Sequence, residues 1–103
     1  MLLVREVMYC KPGKVRPMVE KSLAMAKLME KSKLGTMRVL TDVAGERYWT
    51  IVMEIEAPSL DAFERMMRGE GQSAADQKQF EEIMKGYHDL VESGRREFFK
   101  IEG

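Results

Sequence analysis

His88 is the only histidine in the chain, and Cys10 the only cysteine. These two residues bound most of the chemistry available to it. An imidazole is the side chain best suited to moving a proton near neutral pH. His88 falls at the edge of the apolar stripe Phe80, Tyr87 and Val91 in a helical reading, one turn from Met84 and from Glu92. It is a candidate general base with Glu92 orienting it, set against a surface-edge histidine loosely paired with Glu92. No nucleophile is tied to it by spacing. One cysteine and one histidine do not supply a zinc-type ligand set, and no loop has the acid spacing of an EF-hand, so no metal is expected. Cys10 has no neighbouring base and no partner for a disulfide.

Two glycine-bearing stretches resemble phosphate-binding loops and fail on context. Gly69-Glu70-Gly71-Gln72-Ser73-Ala74 fits G-x-G-x-x-A, but it lies between two helical patterns, where the dinucleotide motif needs a strand before it. Glu70 would also bring negative charge to a pyrophosphate. The stretch reads instead as a hinge that breaks a helix over a pocket. Lys11-Pro12-Gly13-Lys14 lacks the preceding glycine and the following Ser or Thr of a P-loop.

A further set of candidates binds rather than reacts. Arg5, Tyr9, Arg38, Tyr48 and Glu54 are polar or amphipathic residues in strand-like segments. Turned into an apolar pocket, they would orient a polar group of a ligand. Turned outward, they would form an ion-pair layer at a subunit interface or meet solvent. Arg5 and Tyr9 share a face, Arg38 goes with Leu40 and Asp42, and Tyr48 with Glu54. The chain also has 10 methionines, among them Met66 and Met67, whose flexible thioethers suit either a pocket for apolar molecules or core filling.

The elements that must position these residues follow from hydrophobic period. Leu2 to Cys10 is a strand, stopped at Lys11-Pro12-Gly13. Val15, Met18, Val19, Ser22, Met25, Ala26 and Met29 recur at helical spacing, so a helix runs from Val15 or Arg16 to about Lys31, with Pro17 in its first turn. Thr36 to Val43 and Arg47 to Ala57 form a hairpin around Ala44-Gly45-Glu46. Trp49, Ile51, Met53 and Ile55 make a wholly apolar face, which places Trp49 in the core. Ser59 caps a short helix from Leu60 to about Arg68, and Ser73 caps a longer one with the stripe Phe80, Ile83, Met84, Tyr87, Leu90 and Val91. Gly94 is the expected C-cap of that helix, and Glu97 to Ile101 a last strand.

The order β-α-β-β-α-β, with its second helix broken, predicts one α+β domain over residues 1–103: a ferredoxin-like four-stranded antiparallel sheet with helices on one face. The other face would meet water in a monomer, yet Tyr48, Val52, Leu40 and one of Phe98 and Phe99 fall on it. That surplus of apolar groups predicts a homodimer through the open sheet face. Lys+Arg and Asp+Glu both number 17, so the basic excess of a nucleic-acid binder is missing. Charge at Arg5 interrupts any signal-peptide core, and no apolar run approaches a membrane span, which predicts a cytoplasmic protein with no membrane partner.

The turn Lys11-Pro12-Gly13-Lys14, the hairpin and the stretch Ala57-Pro58-Ser59-Leu60-Asp61-Ala62-Phe63 together resemble the dimeric α+β barrel superfamily, in particular its antibiotic-biosynthesis-monooxygenase-like and NIPSNAP-like members. The resemblance covers the whole chain in element order. It implies a homodimer whose two sheets form a barrel, with a pocket in each subunit between sheet and helices. Members include cofactor-independent monooxygenases, lactone isomerases and haem-degrading enzymes. The last use a strand-one Asn, a Trp on the first half of the broken helix and a His on its second. Here those neighbourhoods hold Glu6, Met66-Met67 and Asp76-Gln77, so haem chemistry is not carried over. The expectation is a domain that binds a small, mostly apolar organic molecule without a cofactor, as a cofactor-independent monooxygenase or isomerase. The alternatives are a non-catalytic module whose role is assembly and, against the missing Asn, Trp and His, a haem-binding protein.

Overall fold

Side-chain alternation along the first strand divides the molecule into two faces. The computed structural model describes all 103 residues, Met1–Gly103. Strand β1 (Leu2–Cys10) is followed by α1 (Val15–Lys31), β2 (Met37–Thr41), β3 (Thr50–Ala57), α2 (Leu60–Met67), α3 (Ala74–Met84), a 3-10 turn at Tyr87–Asp89, and β4 (Val91–Lys100). The sheet order is β2-β3-β1-β4 and every neighbouring pair is antiparallel. This is the ferredoxin-like α+β arrangement expected. No helix is long and apolar enough to cross a membrane.

Val4 stands opposite Ile55, Glu6 opposite Met53 and Met8 opposite Ile51, so these residues share the face beneath the helices. On it lie the buried Val4, Ile51, Met53, Ile55 and Met37. From α1, Met18, Val19 and Met29 close over the same cluster. Ser22 is fully buried among them, and its hydroxyl donates to the Met18 carbonyl at 2.9 Å, which removes the cost of burying it. Phe63 of α2 joins Val4 and Ala57 in a second, smaller cluster.

The helix caps stand where the sequence places them. Ser59 Oγ accepts from Ala62 N at 3.1 Å and Ser73 Oγ from Asp76 N at 3.0 Å. The Asp76 carboxylate does not return to Ser73. It accepts from Ser32 Oγ at 2.7 Å and ties α3 to the end of α1. Helix α3 buries none of its residues. Its far end is held by Lys21 Nζ, which donates to the carbonyls of Ile83 (3.0 Å) and Lys85 (2.7 Å). That puts a cation on the negative end of a helix.

Two expectations are corrected. The last helix does not run through Val91: it stops at Met84, and Gly86, at φ +82°, turns the chain out of the helix. Strand β4 starts at Val91, well before Glu97, because this segment gains a continuous ladder with β1, from Leu2↔Lys100 to Cys10↔Val91. Tyr87, Leu90 and Val91 still pack on the core, from a turn and a strand. Gly94 is therefore no cap but a strand residue, paired with Met8.

The second correction concerns the hairpin. Asp42 Oδ1 accepts from Thr50 N at 2.9 Å and Asp42 N donates to Thr50 O at 3.3 Å, which closes the ladder early. Residues between them form a loop in place of strand. Trp49 takes φ +59° and is 43% exposed, outside the core to which its alternation assigned it. Tyr48 is 84% exposed and Val43 fully so.

A Cβ added at Gly94 would lie 2.9 Å from the Val7 carbonyl oxygen, a backbone atom that cannot step aside. Gly94→Ala is expected to lower stability by about 1–3 kcal/mol in urea denaturation, as overpacking does. Gly45→Ala, whose nearest neighbour would be Asp42 Cβ at 3.9 Å, is expected to stay within about 0.5 kcal/mol of the parent.

Candidate functional site

The face of the sheet away from the helices carries a chain of ion pairs across all four strands. Register brings Arg5 opposite both Glu54 on β3 and Glu97 on β4, and Arg38 opposite Glu54. Arg5 Nε donates to Glu54 Oε2 and Arg5 Nη1 to Glu97 Oε1, each at 3.0 Å. Arg38 bonds the other oxygen of Glu54, and Arg95 Nε donates to Glu97 Oε2 at 2.8 Å. Arg95 also reaches the Tyr9 hydroxyl, and the Arg47 guanidinium lies 3.9 Å from the centre of the Tyr9 ring. The hydrogen bond from Arg95, with the charges of Arg95 and Arg5, holds the Glu97 carboxyl below its ordinary 4.5 despite some opposing desolvation.

Four of the candidate binding residues, Arg5, Tyr9, Arg38 and Glu54, are thus brought together, on the open side of the sheet. Tyr48 is not with them, since it stands in the loop before β3. Around the ion pairs lie Leu40 and Phe99, 39% and 49% exposed, with Val52 between Val7 and Leu40. Val7 is buried even here, under its flanking side chains.

The helix side carries the cavities. Helices α2 and α3 are separated by the turn 68–73, where Gly69 and Gly71 take φ +82° and +83°. The break leaves the helix side of β4 uncovered at two places, with the Arg96 side chain lining both. Arg96 Nε is bonded by the Glu6 carboxylate, and its guanidinium lies 5.2 Å from the centre of the Phe63 ring.

The first cavity is a cleft of about 340 Å³ lined by Glu6, Met8, Tyr87, His88, Glu92 and Arg96 among others. His88 stacks on Tyr87, ring centres 4.0 Å apart. It does not bond Glu92, whose carboxylate lies 3.9 Å from Arg47. The expected helical i, i+4 relation is lost because His88 is in the 3-10 turn and Glu92 on β4.

The second is a groove of about 380 Å³ between α2 and β4. Leu60, Phe63, Met67 and Phe98 give it an apolar floor, and Glu64, Arg68 and Arg96 rim it. Phe63 and Phe98 meet edge to face at 5.6 Å. Met67 is 54% exposed in this groove, whereas Met66 packs inward between the two core clusters. The i, i+3, i+4, i+7 spacing of Leu60, Phe63, Glu64 and Met67 puts them on one side of α2.

Arg96, Glu6 and Phe98, with Leu60, Phe63 and Arg68 of the α2 segment, are among the site residues that sequence reasoning missed. Reading β4 from Glu97 left Arg96 outside a strand. Read from Val91, with the bulge that leaves Glu92 unpaired, the alternation Gly94, Arg96, Phe98 places Arg96 and Phe98 toward the helices. Cys10 is buried, and burial pushes its thiol up, which makes it a poor nucleophile.

No protein-family model matches the sequence, and no curated protein does. Solved structures do. A NIPSNAP domain protein from Burkholderia xenovorans superposes with TM-score 0.77 at 12% identity, over 98% of this chain and 94% of that one. A NIPSNAP family protein from Agrobacterium tumefaciens gives 0.73 at 15%, over 97% and 92%. An antibiotic biosynthesis monooxygenase gives 0.71 at 13%, over 100% of both chains. The chain is therefore similar, over its whole length and in fold, to NIPSNAP and antibiotic-biosynthesis-monooxygenase-like proteins, all built on the ferredoxin-like α+β arrangement.

Proposed function

We propose that this protein works as a cytoplasmic homodimer joined through its open sheet faces, each subunit holding a small, mostly apolar organic molecule on the helix side of the sheet. The observation that carries the ligand reading is the groove between α2 and β4. Leu60, Met67 and Phe98 are each between 44% and 54% exposed there, side by side over a buried Phe63. Large apolar groups gathered in a concavity are the ordinary mark of a ligand site. The location agrees with the pocket that the family resemblance implies.

The dimer reading rests on the opposite face. Its ion pairs are closed within the subunit, since Arg5 and Arg38 share Glu54 while Arg5 and Arg95 share Glu97. A second copy covering this face would bury side chains already bonded to one another, and the cost of burying the ion pairs is offset by the apolar Leu40, Val52 and Phe99 around them. In this arrangement Arg5, Arg38 and Glu54 belong to the interface, with Tyr9 at its margin.

The reaction class we assign to the site is cofactor-free oxygenation or isomerisation, for which one structural neighbour, an antibiotic biosynthesis monooxygenase, is support by analogy. The protein would supply orientation and a dry surface, with His88 in the adjoining cleft as proton acceptor. A second reading, a dimeric module without catalysis, is favoured by a different observation: every buried side-chain nitrogen and oxygen has a partner within the chain. Nothing polar is left over that demands a ligand. Oxygen uptake or product formation with phenol and quinone substrates separates the readings, and turnover lost in His88→Gln supports the first.

Sedimentation at micromolar concentration is expected to give about twice the 11.9 kDa chain mass; a species at the chain mass alone overturns the dimer. Leu40→Glu places an unpaired carboxylate on that face and is expected to raise the dissociation constant roughly tenfold or more, about 1.4 kcal/mol per decade. The Glu97 carboxyl adds a pH dependence. Its folded-state pKa lies below the ordinary 4.5, so its contribution to stability is complete above that pH and is lost as pH falls through the folded value. Thermal scans from pH 6 to 3 should show a steeper loss for the parent than for Glu97→Gln.

A further inference from the structure

We infer that the molecule held between α2 and β4 is an amphipathic carboxylate: an aromatic or short aliphatic body carrying one acid group. This rests on the ligand-binding reading above and names the chemistry of that site. The floor of the groove is apolar, with a T-shaped Phe63–Phe98 pair that offers ring edges to an aromatic body. Its rim carries two guanidinium groups, Arg68 and Arg96, against one carboxylate, Glu64.

Both arginines keep donors free. Glu6 takes the Nε of Arg96, and the two terminal nitrogens of Arg96 bond nothing else in the chain. The same contact fixes the guanidinium over the Phe63 ring, 5.2 Å from its centre, so its remaining donors are held at the edge of the apolar floor. Arg68 bonds only Glu70, through Nε and Nη2 at 3.2 and 3.0 Å, and both side chains are 57% exposed. A pair that open to water contributes little and yields readily to a competing carboxylate. A carboxylate at the rim would gain charge-assisted bonds from Arg68 and Arg96 while its body covers Leu60, Met67 and Phe98. The groove, at about 380 Å³, has room for a ring with a short side chain.

The test uses three probes with one body and different heads: 3-phenylpropionate, 3-phenylpropan-1-ol and 3-phenylpropylamine. Each is titrated into the ¹⁵N-labelled protein while the amide resonances of α2 and β4 are followed. The carboxylate is expected to bind roughly tenfold tighter than the alcohol, and the amine no tighter than the alcohol, from charge-assisted bonding at the rim. The preference should shrink as salt rises. Arg68→Gln should bring the carboxylate to within about threefold of the alcohol and leave the alcohol unchanged. Met67→Asp should weaken both.

Equal binding of carboxylate and alcohol, or tightest binding of the amine, overturns the carboxylate assignment and leaves the ligand site standing. No shift in α2 or β4 with any probe overturns both. Arg68 lies at an exposed helix end, so its substitution tests the rim without endangering the fold.

Discussion

The structure depends on β1 being hydrogen-bonded along both edges. Its ladder to β3 runs from Leu2↔Ala57 to Tyr9↔Thr50, and its ladder to β4 from Leu2↔Lys100 to Cys10↔Val91. A strand paired on both sides cannot slip by one residue without exchanging its two faces. The alternation of β1 therefore commits Val4 and Met8 to the helix side and Arg5 and Tyr9 to the other. From that one register follow the core beneath α1, the Glu6–Arg96 contact on the helix side and the Arg5–Glu54–Glu97 pairs on the open side.

The two faces solve different problems. Under the helices, apolar side chains are removed from water by α1 and α2, and the covering stops short at β4 because the second helix is interrupted. The open face has no layer over it, and its ion pairs run laterally between strands. Cross-strand pairing of opposite charges stabilises a sheet locally. It also leaves a surface whose ion pairs occupy its centre, with the apolar Leu40 and Phe99 on its two edge strands.

Much of this was legible in the residues. The helical spacing from Val15 to Met29, the capping serines Ser59 and Ser73 and the opposed apolar and polar faces of Ile51–Ala57 are local signals, and the structure follows them. What could not be read were outcomes of competition between local and distant partners. The stripe Tyr87, Leu90, Val91 suits a helix, but pairing with Leu2–Cys10 across the whole chain length prevailed, and only the three-dimensional partner reveals that. Trp49 fits the alternation of β3, yet one side-chain acceptor, Asp42 Oδ1, ends the ladder at Thr50 and turns Trp49 out. The groove was half legible: Met67 was singled out, while Arg96 stayed hidden behind the misplaced start of β4.

Helix α3 buries none of its own residues and is fastened by Lys21 at one end and Ser32 at the other. Few apolar contacts would be broken if it lifted away, so detaching it costs far less than opening the sheet. That weak attachment lies apart from the two cavities, neither of which is lined by a residue of α3. Local opening of α3 would therefore leave the groove between α2 and β4, and the core beneath α1, in place.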